Sequence, residues 1–172
     1  GVALGVSTNV VFFFVLFGSL LEKAGAGNYF IQLAFSMLGT FRGGPAKAGV
    51  VASGMTGMIS GSSIANTVMT GTFTIPLMKR VGYSAVKAGA IEAAAGVNGQ
   101  LMPPVMGAAA FLIAESVGNS YAEVVKHAFL PAFLPYGALF YIVDIEAAKL
   151  GLRGLPRSST MPLRHAFLRA LM

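Results

Sequence analysis

Long apolar blocks separated by short basic stretches set the pattern of this chain, and two of the blocks are interrupted by polar residues near their middle. Residues 1–21 carry no charge before Glu22. At ~1.5 Å per residue that block reaches across a hydrocarbon core of roughly 30 Å, which predicts a transmembrane helix over 1–21. In the next segment Phe30, Leu33, Ala34, Met37, Leu38 and Phe41 recur at intervals of three and four, the period of one helical face. Its helical part is only about 13 residues, or ~20 Å, too short to cross. The basic "RGGPAK" comes straight after it, so the pattern predicts an amphipathic helix over 28–41 lying along the membrane interface.

The block 46–78 is bracketed by Arg42 and Lys47 on one side and by Lys79 and Arg80 on the other. Basic ends are held in the cytoplasm, so this segment enters the membrane and returns to the same side. Each arm has only about 15 residues, or ~23 Å, short of a full crossing. A re-entrant helical hairpin over 46–78 is therefore expected, with its tip in the polar "SGSSIAN" of residues 60–66. Backbone that leaves a helix at membrane depth is tolerated only where protein buries it or it lines a cavity, so such a tip implies an occupied site. The block 84–115 is also interrupted, by Gly96, Asn98, Gly99, Gln100, Pro103 and Pro104. Proline removes a backbone donor and breaks the ladder. Two half-helices follow, about Ser84–Val97 and Pro104–Ala114, the second starting at Pro103 or Pro104 and both joined by an unwound "NGQLMP". A further uncharged crossing over 124–146, kinked at Pro131 and Pro135, leads to a basic cytoplasmic tail over 147–172.

Composition agrees with a membrane protein. Of 172 residues, 55% are hydrophobic and 10% charged, where a soluble domain carries roughly 25% charged residues. The formal charge of +6 does not indicate nucleic acid, because the basic residues flank apolar blocks or sit in the tail at Lys149, Arg153, Arg157, Arg164 and Arg169. With no cysteine, disulfides and thiolate metal sites are excluded. The chain begins without Met and ends in "HAFLRALM", and is read as a fragment of a multi-pass protein.

A hairpin tip and a helix break meeting at membrane depth are the parts from which secondary transporters build substrate and ion sites. Ser60, Ser62, Ser63, Asn66 and Thr67 at the tip, with Asn98, Gly99 and Gln100 at the break, offer hard neutral oxygens. Such a set suits a weakly bound monovalent cation such as Na+, since divalent ions prefer charged ligands. The alternative is helix packing alone, with Gly54, Gly57 and Gly61 as close-contact residues. Glu92, the one carboxylate well inside an apolar block, is either a functional group or a polar tie between helices. A serine hydrolase would need a base beside its nucleophile, and His127 and His165 lie toward a membrane face and in the tail. The chain is not expected to be an enzyme; a channel-like or purely structural membrane subunit stays open beside the transporter.

"GSSIANTVMTGTFTIPLMKRVGY" and "AGAIEAAAGVNGQLMPPVMGAAAFLIAE" resemble the large membrane subunit of tripartite ATP-independent periplasmic transporters, in the version that fuses small and large membrane subunits. "LLEKAGAGNYFIQLAF", "FRGGPAK" and "EAAKLGLRGLP" extend the likeness over the whole chain. The resemblance implies an all-α integral membrane fold, one inverted-repeat half of an elevator-type carrier in the cytoplasmic (inner) membrane of a bacterium or archaeon. It implies Na+-coupled import of carboxylates or related organic anions delivered by a periplasmic substrate-binding protein, with no organic cofactor. Residue by residue, it assigns Gly61, Ser62, Ser63, Asn66, Asn98, Gly99, Gln100 and Pro103 to one sodium site and places Thr67, Thr70 and Pro104 close to substrate. The second inverted repeat, with its own hairpin, and the small-subunit region have no counterpart in these residues, so the complete substrate site requires those missing partners.

Overall fold

Gly61 and Ser62 decide the centre of the fold. In a computed structural model, which describes Gly5, Thr8 and residues 11–104 and 106–155, they join two helices with no residue to spare. The first, α3 (Gly44–Ser60), follows α1 (Phe12–Lys23) and α2 (Ala26–Leu38). It stops because Gly61 adopts a left-handed φ of 62° and turns its N–H to Gly57 O at 3.0 Å. Ser62 is extended, and its side chain accepts from Ala65 N at 3.3 Å, which caps α4 (Ser63–Arg80). A glycine stop and a serine start in consecutive residues fold the chain back on itself.

The two arms run antiparallel in close contact because one presents small residues to the other. Gly57 lies against Asn66 near the tip, and Gly49 lies against Thr74 about two turns away. Into the groove between them packs α5 (Ala85–Gly99), started by Ser84, whose Oγ accepts from Lys87 N. Beyond α5 the described residues form no regular element until α6 (Ala109–Val117), and α7 (Tyr121–Lys149) closes the bundle. Ala46, Val50, Met78, Ala88, Ile91, Ala95, Leu139 and Val143 form the core shared by α3, α4, α5 and α7. A smaller cluster of Ile31, Ala34, Ala48 and Ala52 seats α2 on α3. All seven elements are helices, and the described residues contain no strand.

Several expected boundaries move. The second half-helix begins at Ala109 and not at Pro103 or Pro104. Both prolines lack an N–H, Met106 takes a φ of 57°, and Gly107 N turns back to Gln100 O at 2.7 Å, so residues 100–104 and 106–108 belong to a loop closed on the end of α5. α7 continues through Pro131 and Pro135 for 29 residues, starting at Tyr121 and running past 146. It is the one helix among the described residues long and apolar enough to cross a membrane. The expected first crossing is described from Phe12 to Lys23, taking Glu22 into its last turn, and most of residues 1–10 lies outside the described residues. The helix expected over 28–41 spans Ala26–Leu38. The expected tail splits: residues 147–149 belong to α7, Leu155 N donates to Gly39 O at 2.8 Å, and 156–172 lie outside the described residues.

One pole of the bundle is polar and paired. Arg42 and Lys47 both reach Asp144, each at 2.5 Å, and Lys87 pairs with Glu146. Basic residues read as membrane-flanking charges thus also tie the starts of α3 and α5 to the end of α7. Tyr83, between α4 and α5, donates to Val143 O. Burial, and then the charges of Glu146 and Asp144, push its phenol up to about 12.

Candidate ion site at the hairpin tip

Three stripes of residues meet between the arms and α5. On α4, Asn66, Thr70 and Thr74 follow one another at intervals of four, which keeps them on one face. All three are fully buried. Facing them on α3 is the stripe Gly49, Ser53 and Gly57, and α5 contributes Glu92, Gly96 and Gly99. The approach is closest between Gly57 and Gly99, where a methyl on either would lie within 3 Å of the other's Cα. Only backbone separates hairpin and break at this point.

Asn66 sits in the middle of that contact. Its amide nitrogen donates to Ser53 O and Ser53 Oγ, each at 2.9 Å. Its amide oxygen Oδ1 is buried without a hydrogen-bond partner. A buried carbonyl-type oxygen left unpaired costs about 1–3 kcal/mol, so its placement calls for a donor or a cation. The neighbouring surface is rich in oxygen. A methyl on Gly96 would fall 2.4 Å from Thr67 Oγ1 and 3.3 Å from Ser63 O, and one on Gly107 would fall 3.1 Å from Gly61 O.

The residues assigned to sodium by resemblance divide into two sets. Gly61, Ser63, Asn66 and Gly99 belong to the tip-to-break contact itself. Ser62 caps α4, while Asn98 O, Gly99 O and Gln100 O accept from Leu101, Met102 and Gly107 N–H groups, and Pro103 is buried in the loop. The residues assigned to substrate do not share one environment. Thr67 borders Gly96 in the contact, whereas Thr70 is fully buried with its hydroxyl on Asn66 O and Glu92. Pro104 is exposed, and its carbonyl accepts from the Tyr121 hydroxyl at 3.2 Å.

Sequence reading missed Ser53, Thr74 and Gly107, and named Gly96 only as part of the interruption. The first two were legible as a spacing, since Gly49-Ser53-Gly57 and Asn66-Thr70-Thr74 each repeat every four residues. Gly107 carried no local signal, because its role depends on a loop that returns to Gly61.

Residues 4–172 match the family described as tripartite ATP-independent periplasmic transporter, DctM component. The chain is 40% identical over 92 residues to the C4-dicarboxylate TRAP transporter large permease protein DctM of Vibrio cholerae, an alignment covering 54% of this chain and 20% of that protein. It is 33% identical over 149 residues to the protein of the same name from Pseudomonas aeruginosa, covering 86% of this chain and 34% of the relative. It is 24% identical over 155 residues to the 2,3-diketo-L-gulonate TRAP transporter large permease protein YiaN of Escherichia coli, covering 90% and 36% respectively. The chain thus spans about a third or less of the length of these relatives.

Proposed function

The chain belongs to the DctM component family of tripartite ATP-independent periplasmic transporters, and from that premise we propose that it forms part of the permease of a Na+-coupled importer of carboxylates or related organic anions. The hairpin tip and the α5 break hold one coupling sodium. The observation that carries this reading is Asn66 Oδ1, buried and unpartnered where Gly57, Gly96 and Gly99 bring hairpin and break together. The surrounding donor set fits sodium: neutral hydroxyl, amide and carbonyl oxygens, with Glu92 turned to Thr70 and Thr74 and away from this contact.

The rest of the reading follows from this assignment. Arms of 17 and 18 residues, about 26 Å each, enter from a pole that holds Arg42, Lys47 and Arg80, in keeping with a re-entrant hairpin in a cytoplasmic membrane. Substrate arrives from a periplasmic binding protein, and the second repeat and the small subunit complete the substrate site and the elevator that moves it. The transporter is favoured over a purely structural subunit because packing alone gives no use for an unpaired buried oxygen.

In the full-length permease reconstituted with its binding protein, Ser63→Ala and Asn66→Ala are expected to raise several-fold the sodium concentration for half-maximal uptake. Thermal stability in detergent is followed beside it. Unchanged sodium dependence in both variants, with stability alone reduced, would return these residues to packing.

A further inference from the structure

Glu92 is the one charged side chain that is fully buried among the described residues, and the tip site does not use it. Two hydroxyls of α4 hold its carboxyl, Thr70 Oγ1 on Oε1 and Thr74 Oγ1 on Oε2 at 2.5 Å, and Ser53 of α3 lies beside it. Gly49 and Gly71 close the cage, a methyl on either falling 3.9 Å from Oε2 and 3.3 Å from Cγ respectively. No charged side chain faces the carboxyl. α3 presents Gly49 and Ser53, α4 presents Thr70, Gly71 and Thr74, and α7 presents Tyr136, whose phenol donates to Ala95 O at 3.1 Å. Hydroxyl and carboxyl oxygens are already in direct contact, which leaves space between them for hydrogen and not for a metal ion.

Each of these hydroxyls has a second partner within reach. Thr70 Oγ1 is 2.8 Å from Asn66 O, Thr74 Oγ1 is 3.0 Å from Thr70 O, and Ser53 Oγ accepts from Asn66 Nδ2. A hydroxyl has one hydrogen to give and two lone pairs to receive with. Against an ionised Glu92, both threonines point their hydrogens at the carboxylate. Against a protonated Glu92, one threonine receives the carboxyl hydrogen and turns its own to the helix carbonyl one turn back. Hydroxyl rotation alone converts one arrangement into the other, and neither strands a polar atom. Packing alone does not account for an acid here, because a buried charge without a cation is costly and the same helices could be tied by neutral groups.

We propose that Glu92, caged by Ser53, Thr70 and Thr74, is a reversible proton-binding site whose occupancy is relayed to the hairpin tip through Asn66. The proton comes from water, forms an O–H bond on one carboxyl oxygen, and returns to water on release. Thr70 and Ser53 both touch Asn66, so the change in their hydrogen bonding reaches the residue whose Oδ1 is buried without a partner. The proton site stands independently of the sodium reading, whereas the relay rests on it.

Infrared difference spectra of the full-length permease between acidic and alkaline sodium-free buffer test the site. A protonated-carboxyl band that appears on acidification and is lost in Glu92→Gln is the expected result; spectra of wild type and Glu92→Gln with no such difference would overturn it. If Glu92→Gln does not fold, Thr74→Val removes one hydroxyl and keeps the side-chain shape. It should displace the same band, and an unmoved band overturns the site. For the relay, the pH dependence of the half-saturating sodium concentration should disappear in Glu92→Gln. If the band is Glu92's but that dependence persists, the relay fails and the proton site remains. If Ser63→Ala also leaves sodium dependence unchanged, the tip reading has failed instead.

Discussion

Gly57 illustrates how single residues set the distance between hairpin and break. A methyl group there would lie 2.8 Å from Gly99 Cα and 2.9 Å from Asn66 Nδ2, and backbone cannot swing away as a flexible side chain can. Gly57→Ala is therefore expected to cost about 1–3 kcal/mol, read as a lower melting temperature in detergent. Gly89, on the same α5 that carries Gly99, has nothing within 4 Å of its would-be Cβ. Gly89→Ala should leave the melting temperature equal or higher, since alanine favours a helix by up to about 1 kcal/mol over glycine. Equal changes in both variants would mean that the close approach at Gly57 does not govern its cost. The same logic makes Asn66 the most informative side chain at the tip. Its nitrogen is satisfied by Ser53 and its oxygen is not, so one residue reports both packing and ligand binding.

At the scale of elements, the hairpin is defined by where its ends lie. The Gly61–Ser62 turn returns α4 along α3, bringing Arg80 back to the pole that holds Arg42 and Lys47. In sealed vesicles of the full-length protein, single cysteines replacing exposed Phe41 and Lys79 should react with an impermeant reagent from one and the same face. Labelling from opposite faces would show that this segment crosses the membrane and would remove the re-entrant reading. α5 and α6 show a different relation between sequence and element. Pro103 and Pro104 mark the break but do not start the next helix, because Gly107 N is bound back to Gln100 O. The loop is thereby closed on the tip, with Gly107 beside Gly61.

Over the whole molecule, Asp144 links the hairpin entrance to α7. It receives both Arg42 and Lys47, and Lys47 is only 12% exposed. Asp144→Ala should lower the melting temperature of the full-length permease more than Arg42→Ala does. The first change leaves a largely buried ammonium without its partner, and the second removes an exposed guanidinium. Equal effects would mean that Lys47 finds water or another partner when Asp144 is lost. Together with the Lys87–Glu146 pair, these residues hold α3, α5 and α7 in one register at the polar pole, leaving the tip-to-break contact at the far end of the hairpin.

Helical class, membrane composition, the hairpin and the broken segment follow from the sequence by itself, because each rests on local chemistry: block length, basic flanks, a glycine stop, a serine cap and paired prolines. The polar tip around Gly61, Ser63 and Asn66 was legible for the same reason, as polarity where an apolar run should continue. The tertiary structure alone decided which of those groups meet. Asn66 carries one satisfied and one unpaired amide atom, Thr70 turns to Glu92, and Gly99 touches Gly57. Those contacts join residues 13 to 42 positions apart, and their partners are set by the close packing of three helices, which no local period encodes.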